Sequence, residues 1–409
     1  MPSPLSHRSA FVVRSEIRNM SLECDRLGGI NLSQGICDTP TPECVQRAAQ
    51  AAMAEGWNTY TPHIGVAELR QAISTKLSHF YQLQADPETE IVVSAGSTGA
   101  FYSSCMALLN PGDEVILLEP FYGYHLSTLI ATGLEAKFVR LRPPNWTFDI
   151  EDLRAACGPR TRAIMICTPA NPSGKVFTMA ELEAIRDLAV ERDLIVFTDE
   201  IYEHFLYDGN RHISPVTVPG LRDRTVMISG FSKLLSITGW RIGYAVAPPR
   251  WAEAIGYFSD LIYVCAPAPL QVGVARGLSQ LEPDYYDHLA RAYRSKRDKI
   301  CEVLDRAGLE PYVPAGGYYV LANIAALPGN SAKEKVMFLL EKSGVACVPG
   351  DSFFHDEGGK DLARFCFAKN DTVLDEACRR LRNFMRASDA ALGCGTRSAS
   401  EEMSAGQWA

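Results

Sequence analysis

Short apolar runs alternate with helical patterns through the middle of the chain, between residues 91 and 228. Each apolar run predicts a buried strand, and the longer stretches between the runs, with apolar residues on one face, predict helices. The predicted strands are 91–94, 113–119, 135–141, 161–167, 194–199 and 225–228, and the predicted helices are 96–109, 121–132, 150–156 and 179–192. This alternation predicts an α/β domain with a mostly parallel sheet that helices cover on both faces.

The flanking segments predict a smaller α+β domain built from both ends of the chain. Expected helices are 16–27, 42–54, 66–81, 285–307 and 372–385, and expected strands are 318–322, 345–349 and 363–368. We therefore expect an N-terminal arm with part of the small domain (1–41), a large domain (42–285) and a C-terminal small domain (286–387). A disordered tail is expected at 388–409, because this segment is rich in Ser, Ala and Gly and has no periodicity.

Composition narrows the class of protein. With 47% hydrophobic and 22% charged residues the chain is an ordinary globular protein, and its net charge of −8 argues against nucleic-acid binding. No apolar run reaches membrane-spanning length, and the N-terminus lacks the charged start and apolar core of a signal peptide. The 12 cysteines are scattered singly, which favours free thiols in the cytoplasm, and the eight histidines form no metal-binding pattern.

The stretch 229–243 carries the strongest chemical signal. Lys233 follows the predicted strand 225–228 among apolar residues, where loss of water lowers the pKa of an amine and makes it nucleophilic. Arg241 lies eight residues further on, and its guanidinium suits a phosphate. An amine nucleophile beside a phosphate anchor fits a pyridoxal phosphate enzyme, although a lone lysine is more often a surface charge.

Further candidates follow other predicted strands, and ligands collect at the carboxyl ends of such strands. Ser97 and Thr98 open the helix after strand 91–94, as an anion site or as caps. Tyr122 after strand 113–119 suits stacking on a heterocycle or core packing. Asn171 after strand 161–167 offers an amide to a ligand, or it belongs to a turn.

Two charged residues lie within apolar runs. Asp199 ends strand 194–199, where it would either keep a pyridinium nitrogen protonated or cap the next helix. Arg364 lies in the apolar run 363–368, where a buried guanidinium requires an anion. That anion would be either a substrate carboxylate or a glutamate of the chain in a structural ion pair.

Together, in this order, the motifs resemble the fold-type I pyridoxal phosphate aminotransferases of class I/II, in the aspartate aminotransferase superfamily. The resemblance covers about residues 14–386 and rests on Asn-Pro-Ser-Gly-Lys at 171–175, Thr-Asp-Glu-Ile-Tyr at 198–202, the stretch 231–243 and Arg-Phe-Cys-Phe-Ala at 364–368. Within the family the chain is most similar to the kynurenine/glutamine and methionine/aromatic branch, through 316–318 and 363–370. The resemblance implies a three-layer α/β/α cofactor domain and a cytoplasmic homodimer with shared active sites.

The resemblance also implies a role for each candidate residue. Lys233 would hold the cofactor as an internal aldimine and then move the substrate proton, so that Lys233, Asp199 and Tyr202 are the expected catalytic residues. Asp199 would pair with the pyridine nitrogen, and Tyr122 would stack on the ring. The other expected ligands are Asn171 and Tyr202 for the ring oxygen; Ser97, Thr98, Ser232, Arg241 and Tyr60 of the neighbouring subunit for the phosphate; and Arg364, Gly35 and Asn171 for the substrate carboxylate.

The implied activity is transfer of an amino group from an L-amino acid to a 2-oxo acid such as 2-oxoglutarate or pyruvate. Neutral, aromatic or sulfur-containing donors are favoured. The same residues would serve a pyridoxal phosphate C–S β-lyase, or an amino acid oxidase or cyclase. A non-catalytic binding protein of this fold is a further alternative, against which the intact Lys233, Asp199 and Arg364 speak.

Two features depart from the family pattern. Gly230 stands where a phosphate-binding serine is usual, so either Ser229 compensates or the phosphate loses one donor, worth roughly 1 kcal/mol. Val264, beside Tyr263, stands where the kynurenine branch has a pocket aromatic, and Ile17 stands where it has a tryptophan. These positions therefore give no support to a preference for aromatic substrates.

Overall fold

The computed structural model describes residues 5–11 and 15–395. Its helices are α1 (Glu16–Arg26), α2 (Glu43–Ala54), α3 (Ala67–Tyr81), α4 (Gly96–Leu108), α5 (Gly123–Thr132), α6 (Ile150–Ala156), α7 (Met179–Glu191), α8 (Pro249–Tyr263), α9 (Ala268–Leu278), α10 (Tyr285–Arg306), α11 (Ala332–Ser343) and α12 (Asp371–Gly395). Its strands are β1 (Ile30–Asn31), β2 (Ile91–Ala95), β3 (Glu114–Glu119), β4 (Glu135–Arg140), β5 (Thr161–Cys167), β6 (Ile195–Asp199), β7 (Thr225–Gly230), β8 (Ile242–Val246), β9 (Glu310–Tyr312), β10 (Tyr319–Asn323), β11 (Val345–Ala346), β12 (Val348–Pro349) and β13 (Leu362–Cys366).

A seven-stranded sheet forms the centre of the large domain, in the order β2-β8-β7-β6-β5-β3-β4. The pairs from β7 to β4 are parallel, whereas β8 runs antiparallel to both of its neighbours. Alternate residues of β3 enter two different cores: Val115 and Leu117 pack with α4 and α8, while Ile116 packs with α6 and α7. Both faces of the sheet are therefore covered, which confirms the predicted three-layer α/β fold.

The smaller domain joins the two ends of the chain. Strands β12, β13, β10 and β9 form an antiparallel sheet, and β1 pairs in parallel with β11. Met20 and Cys24 of α1 pack in one core with side chains of α10, α11 and α12. The N-terminal helix is thereby fixed beside the C-terminal strands, which places the segment after it near the carboxyl ends of β6 and β7.

The structure contains elements that the sequence pattern did not predict, namely β1, β8, β9, α8, α9 and α11. Strand β8 follows Lys233 closely and contains Gly243, which interrupts its apolar run. The N-cap position of α2 is Pro42, and the hydroxyl of the preceding Thr41 donates to the Ser236 carbonyl at 3.2 Å. Helix α12 continues past its predicted end at 385 to Gly395, so the segment expected to be disordered from 388 begins as helix; residues 396–409 lie outside the described residues.

The eleven cysteines whose side chains the structure describes are all free thiols, as their single spacing predicted. Among the described residues, no helix combines the length and the apolar character needed to span a bilayer. One group in this part of the chain has metal-like spacing, namely Glu119, His355 and Asp356. Arg140 contacts both carboxylates, at 3.3 and 2.6 Å, and so supplies the positive charge that a metal ion would otherwise provide.

Candidate active site

A cavity of about 460 Å³ lies at the carboxyl ends of β5, β6 and β7. Of the residues predicted for the site, all but Tyr60 line this cavity. They are Gly35, Ser97, Thr98, Tyr122, Asn171, Asp199, Tyr202, Ser232, Lys233, Arg241 and Arg364. A larger groove of about 660 Å³, between α3, α9 and the start of α10, contains none of them. The smaller cavity is therefore the candidate active site, because it contains the predicted catalytic and binding residues.

Lys233 lies in the turn that follows β7, with its side chain directed into the cavity. Its Nζ donates to the Gly35 carbonyl at 3.1 Å and lies 5.7 Å from the centre of the Tyr318 ring. No carboxylate forms an ion pair with it among the described residues. Burial therefore lowers the pKa of the Lys233 amine, which favours the uncharged, nucleophilic form.

Asp199 ends β6 and is buried at the base of the cavity. Its Oδ1 accepts from the Ile201 backbone N–H at 3.3 Å, and its Oδ2 lies 3.0 Å from Nε2 of His125. His125 was not predicted as a site residue, although it follows Tyr122 by three positions and contacts that ring edge-on. The imidazole fixes the direction of the carboxylate. No helix follows directly after Asp199, so the alternative role as a helix cap is excluded.

Two glycines allow the close packing around a possible anion site at the start of α4. A Cβ on Gly96, whose φ is +76°, would collide with the Arg241 guanidinium, and one on Gly243 would collide with the backbone of Gly96 and Ser97. Among the described residues, Arg241 donates to the carbonyls of Thr238 and Ala95, at 3.1 and 3.4 Å, and pairs with no carboxylate. A positive charge beside the N–H groups at the start of a helix suits an anion such as a phosphate.

Arg364 of β13 is fully buried, yet no carboxylate pairs with it in the part of the chain that the structure describes. Its Nη1 donates to Asn171 Oδ1 at 2.9 Å and its Nη2 to the Ser33 carbonyl at 2.6 Å. Its Nε has no partner among the described residues, and the guanidinium stacks 4.2 Å from the centre of the Tyr319 ring. The alternative of a structural ion pair with a glutamate is therefore wrong, and the charge is left for an external anion.

Buried tyrosines form the wall next to Lys233. The hydroxyls of Tyr202 and Tyr319 lie 3.4 Å apart, and Tyr318 donates to the Gly35 carbonyl at 3.2 Å. Burial raises the pKa of Tyr202 well above its usual range and that of Tyr319 to about 12, so both keep their protons. A Cβ on Gly35 would overlap the Tyr319 hydroxyl, which explains why a glycine stands there. Tyr319 was not predicted, because its only sequence signal was membership of an apolar strand.

Two predicted features lie outside the cavity. Tyr60 does not line it and is 82% exposed. Ser229 points to the other side of the sheet, where its hydroxyl donates to Glu203 Oε1 at 2.8 Å, so it cannot compensate for Gly230. A Cβ on Gly230 would lie 2.9 Å from Gly243 Cα, so close packing of β7 on β8 accounts for the glycine.

The fold and the site together place a half-buried lysine and two arginines around one cavity at the carboxyl ends of the strands. Residues 28–381 match the family model described as aminotransferase class I and II, and the chain belongs to that family. It is a transaminase, in a family whose enzymes use pyridoxal phosphate.

Relatives with assigned activities support this membership. The chain is 36% identical over 373 residues to a probable N-succinyldiaminopimelate aminotransferase of Mycobacterium tuberculosis, covering 88% of this chain and 94% of that protein. It is 34% identical over 363 residues to the methionine aminotransferase of Escherichia coli, covering 89% and 94%. The solved structure of N-succinyldiaminopimelate aminotransferase from Mycobacterium tuberculosis matches with a TM-score of 0.89 and 35% identity, over 93% of this chain and 100% of that one.

Proposed function

We propose that the chain binds pyridoxal 5′-phosphate in the Lys233 cavity and moves an amino group from an L-amino acid to a 2-oxo acid. Neutral, aromatic or sulfur-containing donors are favoured. The observation that carries the proposal is that Lys233, Arg241 and Arg364 line one cavity, and that none of them pairs with a carboxylate among the described residues. A buried Arg364, a half-buried Lys233 and an exposed Arg241, without carboxylate partners among the described residues, fit a covalently held phosphate cofactor and a carboxylate substrate.

Each wall of the cavity suits one part of the cofactor. Lys233 offers the amine for covalent attachment, and Asp199 offers a buried carboxylate to the ring nitrogen. When bound, pyridoxal phosphate withdraws electrons from the substrate Cα and so allows its proton to leave. The remaining contacts are Tyr122 with the ring face; Asn171 and Tyr202 with the ring oxygen; and Ser97, Thr98, Ser232 and Arg241 with the phosphate.

Two side chains handle the substrate. Arg364 binds the α-carboxylate, because its buried guanidinium has no carboxylate partner among the described residues, and Gly35 and Asn171 lie beside it. Lys233, once released, is a partly desolvated amine held by the Gly35 carbonyl. It is therefore placed to take the Cα proton and return it at the other carbon, the role of a general base and acid.

We further propose that the protein is a homodimer with shared active sites. Tyr257, Leu261, Ile262 and Val264 of the α8 region expose apolar side chains, with Leu261 80% exposed, and such a group indicates an interface. Tyr60 is 82% exposed. In a two-fold dimer its hydroxyl would join the phosphate site of the partner, which explains why it lies outside the cavity of its own chain.

A cytoplasmic location is proposed as well. Its support is the free state of the described cysteines, several of them buried in apolar surroundings, which suits a reducing compartment.

The proposal is tested by recording the absorbance spectrum of the purified protein while a panel of L-amino acids is added. A transaminase shows the cofactor converting to its amine form with the correct donor and recovering when a 2-oxo acid is added. Recovery without an acceptor, with release of pyruvate and ammonia, would identify the lyase reaction instead. A protein that takes up no pyridoxal phosphate would contradict the proposed function.

A further inference from the structure

The hydroxyl of Tyr319 lies in the cavity, and none of the proposed roles uses it. Tyr319 begins β10, lines the cavity and is 3% exposed. Its hydroxyl oxygen accepts a hydrogen bond from the Tyr202 hydroxyl at 3.4 Å, and no group among the described residues accepts the proton of Tyr319 itself. A buried tyrosine usually donates that proton to a partner. The Tyr319 proton is therefore available to a molecule that enters the cavity.

Tyr319 lies among the residues that the proposed function assigns to the substrate carboxylate. Its ring stacks on the Arg364 guanidinium, whose central carbon is 4.2 Å from the ring centre. Its hydroxyl lies over Gly35, where an added Cβ would come within 1.8 Å of the hydroxyl oxygen. A phenylalanine would stack on the guanidinium equally well. The hydroxyl therefore needs an explanation of its own.

Two acceptors are open to the Tyr319 proton when cofactor and substrate are bound. One is the oxygen of Tyr202, whose own proton the proposed function directs to the ring oxygen of the cofactor. The other is the substrate carboxylate beside Arg364. A hydrogen bond to a charged acceptor is roughly twice as strong as one between neutral groups. The contact with Tyr202 is also long for two hydroxyls, which favour about 2.7–2.8 Å. The carboxylate is therefore the better acceptor.

The Tyr319 proton is also retained at neutral pH. Burial raises the pKa of this hydroxyl to about 12, so it acts as a donor and not as a phenolate. The guanidinium next to it is held in place, because Nη1 of Arg364 donates to Asn171 Oδ1 and Nη2 donates to the Ser33 carbonyl. A carboxylate on Arg364 would thus meet a fixed charge and a neutral donor together.

We infer that Tyr319 is a substrate-binding residue, whose hydroxyl donates to the α-carboxylate that Arg364 holds. The inference rests on the proposed function and adds one donor to its carboxylate site. In this arrangement Arg364 supplies the charge and Tyr319 supplies a directed hydrogen bond. A ligand with a neutral amide in place of the carboxylate would lose the charge-assisted part of both contacts.

The variant Tyr319→Phe tests the inference, because it removes the hydroxyl and keeps the ring on Arg364. Tyr207→Phe is the matched control, since the buried Tyr207 hydroxyl donates to the Gly317 carbonyl and does not line the cavity. Calorimetry on the holoenzyme compares 3-phenylpropionate, which has no amino group to transfer, with its neutral amide. The wild type and Tyr207→Phe should bind the acid at least about tenfold more tightly than the amide.

Tyr319→Phe should bind the acid about tenfold less tightly than the wild type does, the loss expected for one charge-assisted hydrogen bond. Its affinity for the amide should stay within about threefold, which would show that the cavity is intact. In turnover assays the variant should raise KM for the amino acid and change kcat less. Wild-type affinity for the acid in Tyr319→Phe, or equal losses for acid and amide, would overturn the inference.

A second readout separates a contact with the substrate from an effect through Tyr202. The absorbance of the bound cofactor is titrated against pH without substrate. Its midpoint in Tyr319→Phe should lie within about 0.3 pH units of the wild type, because the hydroxyl serves the substrate and not the ring oxygen. A larger shift with unchanged binding of the acid would assign the proton to Tyr202 and contradict the inference.

The outcomes also distinguish this inference from the proposed function. If amino acids convert the cofactor while Tyr319→Phe binds the acid as the wild type does, the proposed function stands and the inference is wrong. If binding of the acid depends on Tyr319 but no amino acid converts the cofactor, the proposed function fails and the carboxylate contact stands. A protein that takes up no pyridoxal phosphate would contradict both.

Discussion

Two groups of buried polar residues lie on opposite sides of β6 and β7, and they differ in how their charges are balanced. On the cavity side are Asp199 and Lys233. On the other side Glu203 accepts from Lys76 Nζ at 2.7 Å, from the Ser229 hydroxyl at 2.8 Å and from the hydroxyl of Tyr81. Burial by itself would raise the pKa of Glu203, but the charge of Lys76, together with its hydrogen bond and the nearby His204 and His212, outweighs burial and lowers the pKa to about 2.

The difference separates charges that hold the fold from charges that are available for a reaction. Lys76 and Glu203 are both almost fully buried, and each is the counter-ion of the other. In the part of the chain that the structure describes, the Lys233 amine has the Gly35 carbonyl as its one hydrogen-bond partner, and burial lowers its pKa. Removal of one partner from a buried pair destabilises the fold, whereas a desolvated and unpaired amine is available for reaction. Substitutions on the cavity side should therefore lower turnover, and substitutions in the Glu203 cluster should lower stability.

The largest effect is expected for Lys233→Ala. Loss of the attaching amine and of the general base should lower turnover by at least about 10⁴-fold, since general base catalysis alone contributes up to about that factor. The variant should still fold, because no ion pair with Lys233 is broken. Steady-state assays measure the first effect, and thermal unfolding of the protein without added cofactor measures the second.

A matched change on the other side is Lys76→Met, which removes the amine of the buried pair. It should destabilise the fold and leave the chemistry of the remaining folded enzyme intact. A Lys233→Ala variant that transaminates at the native rate would show that another residue attaches the cofactor and moves the proton.

Next in size is Glu203→Gln, which leaves the ammonium of Lys76 without its counter-ion. Removal of one partner of a buried pair costs about 3–5 kcal/mol in the free energy of unfolding. Urea denaturation measures the loss, and Glu302→Gln is the control, because the Glu302–Arg306 pair is exposed. A loss in Glu203→Gln no larger than that in the control would contradict the structural role of the cluster.

The same cluster predicts a dependence on pH. Glu203 has a pKa of about 2 in the folded protein and a reference value of 4.5. A lowered pKa in the folded state stabilises the protein above the unfolded value, and this contribution is lost as the pH falls from about 4.5 towards 2. In Glu203→Gln the fall in stability over this window should be smaller than in the wild type, which acid titration of unfolding would show.

The comparison also shows what the sequence could predict. The apolar run at 161–167 predicted β5 with its observed bounds, because the run has the length and the composition of a buried parallel strand. Asp199, Asn171 and Lys233 follow strands of this kind, and the order of a parallel sheet places such ends together. The family resemblance then assigned a role to each.

Features that depend on side-chain direction were not predictable. Sequence alone could not show that Ser229 faces Glu203 while Gly230 packs on β8, because one residue of register decides the side. His125 and Tyr319 join the site through contacts between distant segments, which no local pattern encodes.

On the cavity side, Asp199→Asn should lower turnover about 10²- to 10³-fold, the usual cost of one preorganised electrostatic contact. The amide keeps the size of the side chain but removes the charge that, in the proposed function, pairs with the ring nitrogen. His125→Gln is the companion variant, with a smaller loss expected because it changes only the direction of the carboxylate. Turnover in Asp199→Asn equal to that of the wild type would show that the carboxylate does not support the cofactor.

The smallest effect is expected for Ser229→Ala, and it tests the boundary between the two sides. If Ser229 belongs to the Glu203 cluster, loss of its hydroxyl costs about 1 kcal/mol in the free energy of unfolding and leaves the affinity for pyridoxal phosphate unchanged. Thr98→Ala is the contrast, because this hydroxyl lines the cavity at the start of α4. It should weaken cofactor binding about five- to tenfold while the stability of the protein without cofactor stays within about 1 kcal/mol. Weaker cofactor binding in Ser229→Ala would mean that the hydroxyl reaches the phosphate after all, and that the sheet does not divide the two groups.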